Sequence, residues 1–356
     1  MFHRESGFYK TSYAADFALY PLPIARWSVI GFAILFFAIV PLLVPSYYLT
    51  MLNLVGIAIV GALGLNILLG LTGQISIGHA AFMSVGAYTA ANLATRLDLP
   101  FYITLPAGGL MAAAVGIIVG FPSVRIKGLY LAISTLAAQF IIDWIIIHTP
   151  AISGGASASI QVPRPWIFGI QLDTQVELYM FILCVVTIAI VGALNLARSR
   201  IGRAFIAIRD QDIAAEIIGI DVRRYKLMAF AISSFYAGVA GVLYTYYSGV
   251  ANNEFFPLLI SIDYLAMVII GGMGSVLGAI FGATFVTLLP IVIDLVMSYI
   301  GPFFMGDSSG LSGIKSHLRL VVFGGLIMFF LVVEPEGLNR LWLNIRNYFR
   351  VWPFSY

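Results

Sequence analysis

The sequence predicts an all-α, polytopic transmembrane helical bundle of about ten spans with both ends in the cytoplasm. Three observations carry that expectation: an apolar composition, a series of runs long enough to cross a bilayer, and a one-sided distribution of Lys and Arg. Of the 356 residues, 61% are hydrophobic and 10% are charged, with a mean hydropathy of +0.99. A soluble domain carries roughly 45–50% apolar and about 25% charged residues, so water is not the main solvent of this chain.

The apolar runs fall at 28–45, 49–70, 77–95, 101–121, 128–148, 178–196, 227–247, 258–272, 276–297 and 318–333. A spanning helix needs about 20 apolar residues, or about 17 at least. The eighth run is short, and the ninth follows after only Met273, Gly274 and Ser275. Residues 1–27 mix Arg4, Lys10 and Arg26 with Glu5 and Asp16, and the next run lacks a small-residue cleavage site. They read as a cytoplasmic segment before an uncleaved first helix. Residues 28–333 form the transmembrane domain, and 334–356 a cytoplasmic tail that includes the aromatic stretch Trp342–Tyr356.

Cytoplasmic loops retain the excess of positive side chains. With the N-terminus inside, fifteen of the nineteen Lys and Arg fall on inner segments, seven of them within 197–226; only Arg96, Arg164, Lys315 and Arg319 stay outside. A net charge of +3, concentrated in loops, gives no basic face to track phosphates, so nucleic acid is excluded as a partner. The single cysteine, Cys184, permits no intrachain disulfide. His3, His79, His148 and His317 bring no ligand cluster with them, so no metal or other cofactor is expected.

Small residues spaced four apart let membrane helices approach closely. Such stripes occur at Gly108/Ala112/Gly116/Gly120, Ala87/Ala91/Thr95, Ala229/Ser233/Ala237/Gly241 and Gly274/Gly278/Gly282. They serve either packing within the chain or contact with a second membrane subunit. A weak internal echo links Gly70–Phe82 with Gly271–Phe281, two glycine-rich breaks between apolar runs. Paired breaks mark a central pathway in many transporters, although a structural turn explains either one alone.

Polar groups at membrane depth are expensive and therefore face protein or water. Gln74, Ser76 and His79 sit in the first break, where His79 serves as a helix-end hydrogen-bonding group or a substrate contact. On the fifth span Thr135, Gln139 and Asp143 recur every four residues, a stripe that makes either an interhelical seam or a wall of a translocation path. Tyr88, Thr89 and Asn92 on the third span are weaker candidates of the same type. Asp263 and Asp294 read as boundary residues near outer helix ends.

The long inner loop, Ala197–Lys226, is expected to hold a short helix of its own. Asp210 is the candidate N-cap, Asp212 and Glu216 place negative charge toward the positive helix end, and Gly219 supplies the left-handed stop. The pairs Ile213/Ile217 and Ala214/Ile218 give this helix apolar surface where water, not lipid, surrounds it. Such surface calls for a protein partner.

These residues carry a resemblance. The loop, with Ala214-Ala215-Glu216 and Gly219, resembles the coupling loop of membrane subunits of ATP-binding-cassette importers. The chain is more narrowly similar to the M-type permeases of branched-chain amino acid (Liv-type) importers. The motifs are Gly73–Thr89, Phe121–Leu136, Tyr225–Leu243 and Gly271–Gly282, occurring in order across residues 50–335. The outer segment from Ser153 to Ala158 is only a loose version of the family's glycine/serine-rich pattern.

The resemblance implies a non-enzymatic permease subunit in a bacterial or archaeal inner membrane. It would work with a sister permease, two cytoplasmic ATPases, an extracytoplasmic amino-acid-binding protein and membrane lipid. Asp210, Asp212, Ile213, Ala214, Ala215, Glu216, Ile217 and Gly219 would then couple to the ATPase. The chain itself has no P-loop of the form GxxxxGK(S/T), so ATP chemistry must come from elsewhere. Related cargoes such as urea, amides or aromatic acids stay open, as does an ion-coupled secondary transporter; a subunit with no pore is the third alternative.

Overall fold

The computed structural model describes residues 12, 23–124, 126, 128–155, 158–167, 170–171, 174–305, 321–322, 324–325, 328–329, 332 and 337–351. The chain is an all-α membrane bundle. Among the described residues, seven helices are long and apolar enough to cross a membrane. Most of the expected tenth span, 318–333, and most of 1–27 lie outside the described residues.

The first helix, α1 (Pro23–Ile34), continues through a π turn (Leu35–Ile39) into Val40–Leu43. It is the short apolar helix Ile30–Leu43 in terms of hydropathy. The second, α2 (Ser46–Leu65), also ends in π geometry, over Asn66–Leu71. It is apolar on every face and almost wholly buried, as such a helix must be when protein surrounds it. Next come α3 (His79–Arg96), α4 (Phe101–Gly120), α5 (Leu129–His148) and α6 (Gln175–Arg198).

Helix α3 is not one of the seven long apolar helices. Ser84, Tyr88, Thr89, Asn92 and Thr95 dilute its hydropathy, and it tolerates them because most of its side chains pack against protein rather than lipid. After α6 come two loop helices, α7 (Arg200–Asp210) and α8 (Asp212–Ile217), and then α9 (Val222–Ser248), α10 (Leu258–Gly271), α11 (Val276–Met305) and α12 (Gly337–Val351). Asp294 lies well inside α11 rather than at its end. Away from the loop helices, β1 (Ser159–Gln161) pairs antiparallel with β4 (Val250–Asn252), and β2 (Trp166–Ile167) with β3 (Ile170–Gln171).

The small-residue stripes pair with one another inside the chain. A Cβ on Gly116 would meet Ser234 Oγ at 2.2 Å, one on Gly120 would meet Phe230 Cβ at 2.8 Å, and one on Gly238 would meet Ala112 Cβ at 2.5 Å. The α4 stripe and the α9 stripe therefore form one interface. Gly278 and Gly282 pack the same way on Gly271 and Met267, closing α10 and α11 into a tight hairpin.

Candidate functional site

The first break begins where α2 stops. Thr72 Oγ1 donates to Leu68 O at 2.5 Å, Gly73 takes a positive φ of 70°, and its N–H returns to Leu69 O at 3.0 Å. Five residues later Gly78 takes the N-cap position of α3 and has no side chain to cap the helix. The leading N–H groups of any helix lack intrahelical partners, and here other helices supply them. Ile77 N donates to Thr135 Oγ1 at 2.9 Å, Ala80 N to Ser261 Oγ at 2.8 Å, and Ala81 N to Gln139 Oε1 at 2.8 Å. A side chain at Gly78 would strike Thr135 O at 2.5 Å, so glycine is what lets α5 approach closely enough to cap.

Gln139 is the hub of this network. Its Nε2 donates to Asp143 Oδ2 at 3.1 Å and to Phe256 O at 3.2 Å, while its Oε1 also accepts from Ser261 Oγ at 3.3 Å. His79, at the first position of α3, lies 2.9 Å from Gly61 O through Nε2, which must carry the proton because a carbonyl only accepts. Its ring packs on Tyr264 with centroids 5.3 Å apart. Gln139→Leu keeps the volume but orphans Ala81 N and Phe256 O, so it is expected to cost about 1–3 kcal/mol. An earlier unfolding midpoint of the purified protein in detergent is the readout.

The second break, between α10 and α11, turns on Gly272 (φ 109°) and Gly274 (φ 83°). The two breaks touch. Asn66 uses both ends of its amide as a clip, Nδ2 donating to Ser275 O at 3.1 Å and Oδ1 accepting from Gly274 N at 2.8 Å. A Cβ on Gly70 would lie 2.3 Å from Gly274 N. Gly70 O, a carbonyl of α2's last turn, accepts from Arg209 Nη1 at 2.8 Å, a cation at the negative end of the helix. The end of α7 is thus attached to both breaks.

Helix α8 follows directly. Asp210 is not its N-cap: it ends α7, and Gln211 takes the cap position without a side-chain bond. The reason is Arg209, whose Nε and Nη2 hold Asp210 Oδ1 at 3.2 and 3.1 Å. Asp212 pairs with the buried Lys226 at 3.6 Å, and Gly219 takes the expected positive φ, 92°. Ala215 is buried, whereas Ile213, Ile217 and Ile218 are 68%, 81% and 75% exposed and Ala214 and Glu216 also face outward. Between α8 and the first break lies a cavity of about 300 Å³, lined in part by Gln74, Arg209, Asp212 and Lys226. Gln74 is buried there and donates to Thr72 Oγ1 at 2.9 Å. Ser76 is buried in the same break and accepts from Gly78 N at 3.4 Å.

The α3 candidates point elsewhere. Tyr88 OH donates to Ala158 O, and Asn92 Nδ2 to Ile152 O at 2.9 Å, so both tie α3 to the 149–158 segment at its far end. Thr89 Oγ1 bonds back to Val85 O at 2.7 Å. Sequence reasoning gave no place to Asn66, Arg209 or Ser261; a lone asparagine in an apolar run was the one available signal.

The family described as the branched-chain amino acid transport system / permease component matches residues 47–331, which takes in both breaks, the capping network and the loop helices. The chain belongs to this permease family. It is 32% identical over 333 residues, 86% of its length and 74% of the relative's, to the high-affinity branched-chain amino acid transport system permease protein LivM of Escherichia coli K12. To the protein of the same name from Salmonella typhimurium it is 32% identical over 305 residues, covering 79% and 67% of the two chains. With BraD of Pseudomonas aeruginosa, likewise named a high-affinity branched-chain amino acid transport system permease protein, identity is 26% over 78% and 89%. No solved structure matches. The permease is a transport component and not an enzyme, and membership in this class implies ATPase and binding-protein partners in general.

Proposed function

We propose that this permease forms half of the translocation pathway of an importer for branched-chain, hydrophobic amino acids in the inner membrane. It pairs with a sister permease and receives cargo from an extracytoplasmic binding protein. Two cytoplasmic ATPases drive it. The cargo reading is supported by the names of the relatives, ten spans by the apolar runs, and both ends inside by the distribution of basic residues. On this reading Gln74, Ser76, His79, Thr135, Gln139 and Asp143 build the inner frame of the path, and Tyr88, Thr89 and Asn92 its outer end.

The observation that carries the reading is the exposed apolar face of α8. Ile213, Ile217 and Ile218 are exposed on a loop that this reading puts in cytoplasmic water, and each isoleucine buried in a partner groove gains about 1.5–3 kcal/mol. Ala215 does not dock; its side chain seats α8 against the permease. An ion-driven carrier has no use for such a peg.

Replacing Ile213 and Ile217 together by aspartate removes the greasy contact without touching a span. Recovery of the ATPases with the tagged permease from native membranes is expected to fall by more than about tenfold, with the amount of inserted permease unchanged. A photocrosslinker at Ile217 should capture a P-loop ATPase. Full ATPase recovery with the double variant, or a crosslink only to lipid, refutes the coupling role.

A further inference from the structure

A second cavity, of about 200 Å³, lies among α2, α3, α9, α10 and α11. Its walls are mostly apolar, with Ile57, Met83, Phe256 and Met267 among them. Two polar residues stand out on this lining. One is Thr287, whose Oγ1 is shut off from solvent and has no hydrogen-bond partner. The other is Asp263, on the second turn of α10.

Position matters here. Asp263 precedes Gly271 by eight residues, which places it about 12 Å along the helix from the second break. Asp263 is half-buried and lies five residues from the start of α10, and a carboxylate within a bundle is kept where it also meets water, a cation or a substrate. The sequence suggests a boundary residue near an outer helix end; the fold places it on the second turn of α10 and on a cavity wall opposite apolar side chains of other helices. The network around Gln139 sits directly behind, holding Phe256 by its backbone carbonyl at 3.2 Å, while His79 packs on Tyr264, another lining residue. The buried polar residues therefore brace this cavity.

Drug-sized ligands occupy about 300–1,000 Å³, so this space suits a smaller molecule. Apolar walls accept an aliphatic body, a carboxylate accepts a cationic head, and a hydroxyl without a partner can donate to an anionic oxygen. We propose that the cavity is a membrane-depth subsite for a free α-amino acid with an aliphatic side chain, Asp263 receiving its ammonium group and Thr287 Oγ1 donating to its carboxylate. The inference deepens the proposed function and rests on that cargo reading. It adds where in the chain the cargo pauses.

The test uses the complete transporter in proteoliposomes with both ATPases, the sister permease and the binding protein. Wild-type uptake of leucine, measured first, checks the cargo reading by itself. Asp263→Asn is then expected to lower leucine uptake by about tenfold or more, the loss of one charge-assisted contact, while ATP hydrolysis stimulated by the loaded binding protein persists. Asp263→Glu should recover much of the uptake, and Thr287→Val should lower it less. Diazirine leucine photolysed during turnover should label Met267 or its neighbours on the lining, and the label should vanish in Asp263→Asn. Uptake unchanged in Asp263→Asn overturns the proposal. So does a parallel loss of uptake and hydrolysis that Asp263→Glu fails to relieve, or labelling confined to other parts of the chain.

Discussion

Gly241→Leu is expected to leave no folded permease that survives extraction from the membrane. Gly241 is where α9 crosses α3, and even a single methyl there would sit 1.9 Å from Met83 O and 2.6 Å from its carbonyl carbon. Those atoms are backbone, so relief requires α3 to move as a body. It has nowhere to go: Gly86, one turn further on, already lies so close that a Cβ would meet Gly238 O at 2.3 Å, and Gly108 of α4 presses on Gly86 O from the other side. Overpacking of side chains alone costs about 1–3 kcal/mol. Separating three helices also forfeits the capping bonds to Ala80 and Ala81, and total stabilities of domains are only about 5–15 kcal/mol. Size-exclusion chromatography of the solubilised protein should show aggregate in place of the monodisperse peak. Gly192→Leu, where a Cβ meets only Tyr236 Oη at 2.8 Å, is the control expected to fold.

That interface also shows what is legible in the sequence. For the first eight spans hydropathy came within about five residues of the observed helix ends, because a bilayer imposes both length and polarity on a crossing segment, while α11 runs on to Met305, past its expected end at 297. The stripes on α4 and α9 were visible as spacings of four, yet only the fold reveals that they meet each other. Helix α7 is not among the expected elements although Ile201, Ala204, Phe205 and Ile208 recur with helical period, because the charges around them mask the pattern. The β1 and β4 pairing joins residues about ninety apart in three-residue strands, too short to carry a pattern.

The polar site divides in the same way. Thr135, Gln139 and Asp143 announced themselves as a stripe on one helix, since local periodicity is a property of one segment. The bonds that Thr135 and Gln139 accept at the start of α3 join them to a break about sixty residues earlier and, through Gln139, to Ser261, which no spacing rule connects. The echo between the two breaks pointed correctly to Gly70 and Gly274 as comparable places. Direct contact between them needs Asn66, 208 residues from Gly274, and chain separation of that size hides the pair from sequence reasoning.

Arg209→Gln is expected to separate ATP hydrolysis from uptake. If α8 carries the ATPase stroke, movement must pass into the membrane through whatever binds the loop to the spans, and Arg209 is placed to do so. Its guanidinium holds Gly70 O at 2.8 Å with one nitrogen and Asp210 with the others. Its side chain also lies against Gly73 and Gly274, where added Cβ atoms would meet Cγ and Nη1 at 3.1 Å each. Asn66 then links Gly70's helix to Gly274 and Ser275, so a displacement of α7 reaches both breaks together. Glutamine keeps a donor but is shorter and uncharged, losing a bond to a charged group worth about 1.5–3 kcal/mol. In the assembled transporter, uptake per ATP hydrolysed should fall by about tenfold or more while ATPase recovery stays normal. Lysine at the same position keeps the charge at the end of α2 but cannot fork between Gly70 and Asp210, so it should fall between the two. A proportional loss of uptake and hydrolysis, with lysine no better than glutamine, would mean that Arg209 merely holds the loop in shape and that the stroke enters the bundle through the direct junctions of the loop helices with α6 and α9.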